Sequence, residues 1–580
     1  MKVILSTLNS KFIHTALSLR YLKAYAEKMD EKRDLEIAEY TINQNINSVI
    51  GEIYRKKPDI LCFSVYIWNV NEIIDIVRAL KLVRPEMKVA LGGPEVSFEI
   101  KELMEEVEEI DYILYGEGEE AFSEFLEFIE GKREVQTIRN LAYRKEGEII
   151  INPPRPVMKD LGEIPEIYTE DLSEYENKII YYESSRGCPF SCKFCLSSTI
   201  DGLRFFPIDR VLRELKIFID GRVKQVKFID RTFNAKVEYS KQIMEFAYQN
   251  DNGVSNFHFE VTAHLIDDDF IEFLSKMPEG LFQFEIGVQS TNDRTISDVA
   301  RTTDFEKLSD AVTKIKKLGN IHLHLDLIAG LPYEGYESFK KSFNDVYGLK
   351  PDKLQLGFLK LLKGSAMRAE TEKHGFKYLD KSPYEIMETD YMSYDEMLKL
   401  KDIEELVEIY GNENDFEKSL EIAIEDYESA FDFFEKFSFY SRDRGFYDAA
   451  RGKKAQYKHI YDFLLDEGKL EKPLIEDMLR FDFARNTKSP NIPGFLRFKS
   501  DSEMRDIRTE FISSDEVREK YFPEFTERDR NKITRFIYVD EFRYDIENAD
   551  REEKKKVYAF IYNKPERAII KSELSDITDR

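Results

Sequence analysis

The chain has 580 residues, with 86 Lys and Arg against 112 Asp and Glu, a formal charge of −26 at pH 7. At roughly 150 residues per domain that length predicts three or four domains, and 42% hydrophobic with 13% aromatic residues lets each bury a core, which excludes a disordered chain. The acid excess argues against a surface that coats nucleic acid regardless of sequence, and no run approaches the roughly 18 apolar residues that span a bilayer.

The start, MKVILSTLNSKFIH, lacks the long apolar stretch and cleavage site of a signal peptide, so a cytoplasmic protein with no membrane partner is expected. Four cysteines in the whole chain exclude a disulfide framework. Three of them fall within eight residues, at Cys188, Cys192 and Cys195.

In chain order, residues 2 to about 130 alternate short apolar runs with helical patterns: KVILSTL, LEIAEYTI, ILCFSVYI, KVALGG and YILYGE each precede a helix. Five β-then-α repeats predict a parallel sheet covered by helices, in which ligands bind beyond the carboxyl ends of the strands. The loops there carry Asn9 and His14; Ser64, Tyr66, Trp68 and Asn69; Gly92, Gly93, Pro94 and Glu95; and Gly116, Glu117 and Gly118. Such glycines either admit a ligand close to the backbone or make a tight turn. Cys62, on the third strand, reads as a buried structural thiol.

Together NSKFIHTALSLRYL, SVYIWN, LGGPEVS and YGEGEEAF resemble the cobalamin-binding domain that precedes the barrel in cobalamin-dependent radical S-adenosylmethionine (SAM) enzymes, over residues 1–135. The resemblance implies a flavodoxin-like or Rossmann-like domain whose loops named above face cobalamin. The Asp-x-His-x-x-Gly signature, whose His ligates cobalt in other cobalamin proteins, is absent. His14 is therefore a candidate pocket residue or a helix-start histidine, not a cobalt ligand. Trp68, the single tryptophan, lies against the corrin or packs in the core.

Residues 136–176 hold Pro153, Pro154, Pro156 and Pro165 among charges and read as a linker. The strand-like KIIYYESS then runs into RGCPFSCKFC, whose Cys-x3-Cys-x2-Cys spacing lets three thiolates converge on one inorganic group. Structural zinc usually closes with four ligands, and no fourth Cys or His lies nearby. Three cysteines on a 4Fe-4S cluster leave one iron open for a cosubstrate. The motif resembles that of the radical SAM superfamily, which implies a 4Fe-4S cluster on Cys188, Cys192 and Cys195, SAM on the open iron, and Phe194 beside the adenine.

Runs VKFID, FHFEVT, FQFEIGV, IHLHLDLIAG and KLQLGF, interleaved with helical segments, complete a partial (β/α)6 TIM-type barrel over residues 177–370. Barrel sites gather at the carboxyl ends of strands, which puts Asp230, Glu260, Glu285, Gln289 and Ser290 at one mouth as cosubstrate-binding candidates, with Thr232, Asn234, Asp326, Gly330 and Lys360 around them. The family's Gly-Gly-Glu segment is replaced by IDRTFN at 229–234. His258, His322 and His324 fall within strand patterns and suit packing and hydrogen bonding, whereas His264 follows the third strand and reaches toward the site.

Residues 371–580 read as a mainly helical C-terminal domain, similar to an uncharacterised extension of one group of cobalamin-binding radical proteins. Residues 480–499 interleave Arg480, Arg485, Lys488, Arg497 and Lys499 with Phe481, Phe483, Phe495 and Phe498. That pattern suits either a solvated loop or a site that holds a phosphate and stacks a base. The fold class expected is thus α/β: a cobalamin-binding domain, a barrel and a helical extension. The resemblance implies a radical SAM C-methyltransferase using a 4Fe-4S cluster, SAM and cobalamin on a small-molecule or peptide substrate, reduced by a protein such as flavodoxin or ferredoxin. The alternatives are a non-methylating rearrangement or cyclisation enzyme, and an RNA-modifying factor or a cobalamin or cluster sensor.

Overall fold

A computed structural model describes residues 1–200, 202–487, 491–499, 503–522, 530–562 and 573–576. It divides into two compact units, Met1–Tyr336 with Gly357–Tyr394, and Glu337–Leu356 with Asp395–Arg580. No described helix is long and apolar enough to cross a membrane.

The first unit opens with a seven-stranded sheet. Its strands are β1 (Lys2–Asn9), β2 (Asp34–Thr41), β3 (Ile60–Ser64), β4 (Lys88–Gly92), β5 (Tyr112–Leu114), β6 (Leu141–Lys145) and β7 (Glu148–Ile151). Their order is β2-β1-β3-β4-β5-β6-β7. The first five pair in parallel, as expected for β/α repeats. Alternate residues of one strand feed two cores: Ile4 and Leu8, with Leu61 and Phe63, pack under helix Val70–Val83, while Val3 and Leu5, with Ile60 and Cys62, pack under helices Leu17–Met29 and Glu119–Ile129. Burial on both faces is why these strands read as unbroken apolar runs. Cys62 lies in the second core, and burial pushes its thiol up to about 12.

β6 and β7 lie inside the stretch expected to be a linker. They add antiparallel strands to the edge of the sheet, and only the residues after Ile151 run as a connector.

The barrel strands are Ile180–Tyr182, Gln225–Phe228, Asn256–Glu260, Phe282–Gln289, His322–Ala329 and Lys353–Phe358, side by side in chain order. Phe282, Phe284, Ile286 and Val288 are buried and alternate with partly exposed Gln283, Glu285, Gly287 and Gln289. That period of two separates an apolar outer face, covered by helices, from a polar interior. The fourth and fifth strands shift register at Gly287 and Gln289, a bulge at the mouth that leaves Gln289 at φ 71°.

The second unit is mainly helical, and the sequence did not signal its antiparallel sheet of Ile537–Tyr544, Glu553–Ile561 and Glu573–Asp576. Here the basic and aromatic residues at 480–499 divide: Arg497 and Phe498 are exposed, whereas those at the start of the stretch turn inward. Arg480, Phe481 and Phe483 are buried, Arg480 pairs with Asp477 at 2.9 Å and Asp540 at 3.2 Å, and Lys499 pairs with Glu541 at 2.8 Å. A guanidinium engaged by two internal carboxylates cannot also hold a phosphate, so the base-stacking reading loses its central cation. Lys488 lies outside the described residues.

Candidate functional site

The cluster loop begins at the short antiparallel pair Ser185–Arg186 with Arg204–Phe205. Gly187 follows at φ 95°, where a Cβ would sit 1.9 Å from the carbonyl oxygen of Gly202, so only glycine closes this hairpin. Cys188, Cys192 and Cys195 come next, all free thiols, with Cys192 buried and the other two partly exposed. The Thr232 hydroxyl is 3.6 Å from the Cys188 sulfur, and Arg301 donates to the Cys192 sulfur at 3.6 Å. Burial pushes the Cys192 thiol up and the Arg301 guanidinium pulls it back. Arg301 is itself held by the Gly287 carbonyl at 2.6 Å and the Thr303 hydroxyl at 2.8 Å, so the bulge positions a cation beside a cysteine sulfur. Three free thiols on one loop, one of them beside a guanidinium, fit an anionic cluster with an open metal position.

Lys193, between the second cysteine and Phe194, anchors the loop from behind. Its N–H donates to Val299, its carbonyl accepts from Met367, and its ammonium meets Glu370 at 2.7 Å. Asp298, Glu370 and His374 converge there, but Lys193 and Lys373 already engage these carboxylates, which makes the group an ion-pair knot. Phe194 is half-buried in the loop, and His264 meets Phe190 edge-on at 5.9 Å.

The barrel candidates divide. Asp230 is buried and accepts from the Ser184 N–H and the Ser184 and Ser185 hydroxyls, so it braces the strand that leads into the cluster loop. Ser290 is buried and donates to Glu334 at 2.6 Å. Gln289 folds back over Gly287, its amide nitrogen 2.1 Å from where a Cβ would stand. Glu260 and Glu285 are adjacent across paired strands. Burial raises Glu260, with Arg231 pulling it back; Asp326 is raised by burial and by Glu285 and Glu260. Burial would raise Glu285 too, but His258 at 2.9 Å and Lys227 at 3.0 Å hold it at about 2. His258 is pushed below its ordinary value by burial, with Glu285 pulling it back up.

An ordinary Glu titrates near about 4.3, so the stability Glu285 lends is complete above that pH and fades as pH falls toward 2. Glu285→Gln is expected to cost roughly 2 kcal/mol at pH 7 and almost nothing near pH 2. Urea-unfolding midpoints at the two pH values check this, and equal losses at both would contradict it.

In the first domain, Trp68 is 43% exposed and stacks on Tyr66 at 4.4 Å with 5° between planes, its indole N–H donating to Leu8. The Ser18 hydroxyl lies 3.2 Å from both Ser64 and Tyr66. Asn9 is buried and donates to His14, whose Nδ1 is 2.6 Å from the Tyr181 hydroxyl of the first barrel strand. Asn69 is buried and spent on the Tyr66 N–H, Thr7 and Leu8. Gly93, at φ 106°, approaches the Val65 backbone: a Cβ there would meet the Val65 oxygen at 2.5 Å. Pro94 starts a short helical turn, and Glu95 within it is buried.

Gly116 and Gly118 flank Glu117, which takes Arg204 on both oxygens, at 2.6 and 3.1 Å. Arg186 reaches Glu119 at 2.6 Å and Glu183 at 2.8 Å. Thus the candidate loops bring together an aromatic shelf at Tyr66 and Trp68 and two glycine turns, while His14 and Glu117 bind the barrel. A stacked aromatic pair with Trp68 exposed and hydroxyls beside it fits a large planar, amide-rimmed ligand such as a corrin, whereas Gly93 and Gly116 are filled by Val65 and Asn140. Sequence reasoning did not find Arg186, Lys193, Arg204, Lys227 or Arg301, because each acts on a residue distant in the chain.

Family models match a B12 binding domain at residues 3–126, the radical SAM superfamily at 182–346 and a protein family of unknown function, DUF4080, at 372–561. An uncharacterised methyltransferase of Pyrococcus horikoshii is 29% identical over 333 residues, 55% of this chain and 70% of that protein. The cobalamin-dependent radical SAM methyltransferase TokK of Streptomyces tokunonensis is 25% identical over 303 residues, 49% of this chain and 44% of TokK, so the chain spans less than half of TokK's length. The solved cobalamin-dependent SAM radical enzyme OxsB shares the fold, with a TM-score of 0.57 at 15% identity over 92% of this chain and 83% of OxsB. The chain therefore carries a B12 binding domain, then a radical SAM domain, then a DUF4080 region.

Proposed function

We propose that the protein is a cobalamin-dependent radical SAM enzyme that methylates an unactivated carbon of a small-molecule or peptide substrate, with electrons from a flavodoxin- or ferredoxin-type donor. One observation carries this reading: the loop bearing Glu117 and Glu119 in the B12 binding domain is ion-paired to Arg186 and Arg204, the two arginines that frame the three-cysteine loop. Reductive cleavage of SAM at an iron-sulfur cluster, with methylcobalamin as methyl donor, is the chemistry these groups supply when bound.

The chain's own residues do the rest. Cys188, Cys192 and Cys195 hold iron, and Arg301 offsets the negative charge at Cys192. Glu285 stays an anion against Lys227 and His258, while Glu260 and Asp326 are raised toward the protonated form. The mouth thereby offers fixed acceptors and donors to a zwitterionic sulfonium cosubstrate. Phe194, half-buried beside Cys195, supplies an apolar wall.

The test is anaerobic incubation of reconstituted protein with dithionite, hydroxocobalamin and methyl-labelled SAM. Formation of 5′-deoxyadenosine together with label on cobalamin is expected. Deoxyadenosine with unlabelled cobalamin would replace methylation by a rearrangement or cyclisation.

A further inference from the structure

The segment after the last barrel strand crosses to the B12 binding domain and grips the turn that carries Gly92, Gly93 and Glu95. Tyr384 donates its hydroxyl to Glu95 at 2.5 Å, and the Lys363 ammonium stands 3.6 Å from the same carboxylate oxygen. Glu95 and Tyr384 are 5% and 3% exposed, so this contact is shielded from water. Arg368 pairs with Glu99 at 3.0 Å and lies over the Tyr384 ring at 5.0 Å. The Ser382 hydroxyl donates to the Ile67 carbonyl, in the loop between Tyr66 and Trp68. Gly364, at φ 80°, lies under Phe98: a Cβ there would stand 2.3 Å from the ring.

The gripping segment is itself braced. Strands Lys377–Tyr378 and Ile386–Glu388 pair, Lys360 bridges to Glu385, and the Leu361 N–H donates to the Tyr384 carbonyl at 2.9 Å. Tyr384 sits at φ 55°, a conformation a bulky residue keeps only when its surroundings impose it. On the other side, the Ser97 hydroxyl donates to Gly93 at 2.8 Å and accepts from the Gly116 N–H at 3.2 Å, so the gripped turn is continuous with the second glycine turn.

We propose that residues 360–388, including the start of the DUF4080 region, form a latch that shapes the cobalamin-facing loops of the first domain, with Tyr384 and Lys363 as positioning residues acting through Glu95. The B12 binding domain then depends, for its ligand, on side chains nearly 300 residues downstream (|i−j| of 289 for Tyr384 and Glu95). The inference rests on the cobalamin reading of that domain.

The experiment uses the full chain, reconstituted anaerobically, and measures hydroxocobalamin affinity by visible absorbance alongside iron per chain. Tyr384→Phe removes a charge-assisted hydrogen bond and is expected to weaken hydroxocobalamin binding about tenfold, with iron content at the wild-type level. Lys363→Gln, a smaller perturbation, is expected to weaken it roughly threefold and keeps the test intact if Tyr384→Phe fails to fold. Wild-type protein that takes up no hydroxocobalamin overturns the cobalamin reading and the latch with it. Wild-type binding that both variants leave unchanged, or that falls only in step with iron, overturns the latch alone.

Discussion

Cys192→Ala is expected to yield protein with iron reduced to trace and without iron-sulfur absorbance, while hydroxocobalamin uptake persists. The chain has four cysteines, and the fourth, Cys62, is sealed in the core of the first domain, where burial raises its thiol to about 12. No other thiol can replace the missing ligand, and two thiolates alone do not retain a four-iron group with an already open position. The substitution also leaves the Arg301 guanidinium, held by Gly287 and Thr303, facing a methyl group instead of a sulfur. Iron analysis with the visible spectrum of anaerobically reconstituted protein gives the answer, and wild-type iron in the variant would defeat the cluster assignment.

Arg480→Ala is expected to destabilise the second unit by about 3–5 kcal/mol, the range for removing one partner of a buried ion pair. Arg480 is fully buried against Asp477 and Asp540 and donates to the carbonyls of Leu496 and Glu541 at 3.2 and 2.9 Å. Asp477 keeps Arg543 at 2.7 Å, but Asp540, whose carboxyl burial already raises, loses its cation. Urea unfolding should show a clear fall in midpoint, with native-state iron unchanged because the three cysteines belong to the other unit. An unchanged midpoint would mean that the ionic core is dispensable.

What could be read from sequence was what is local. The cysteine spacing, the apolar runs of β1 to β5 and the order of the barrel strands each sit within a few consecutive residues, and period and spacing report them directly. β6 and β7 were missed because five and four residues, a third of them charged, carry little pattern; the turn at Glu146 and Gly147, both at positive φ, was the available signal. The site was less legible because its contacts join distant residues. Glu117 and Glu95 were expected beside a ligand, yet one is taken by Arg204 and the other by Tyr384, 87 and 289 residues away. Arg480 looked like part of a basic stripe because sequence shows charge but not the carboxylates that fold around it.

The paired arginines at the cluster hairpin also set where this protein can be cut and rejoined. A chimera that imports a foreign B12 binding domain at the connector after Ile151 would strip Arg186 and Arg204 of Glu119 and Glu117, leaving, among the described residues, Arg186 with Glu183 alone and Arg204 with no carboxylate, both largely buried beside the cysteine loop. The smallest exchangeable module therefore runs past the domain boundary to the second strand of the hairpin, Arg204–Phe205, so that both halves of the charge clamp travel together.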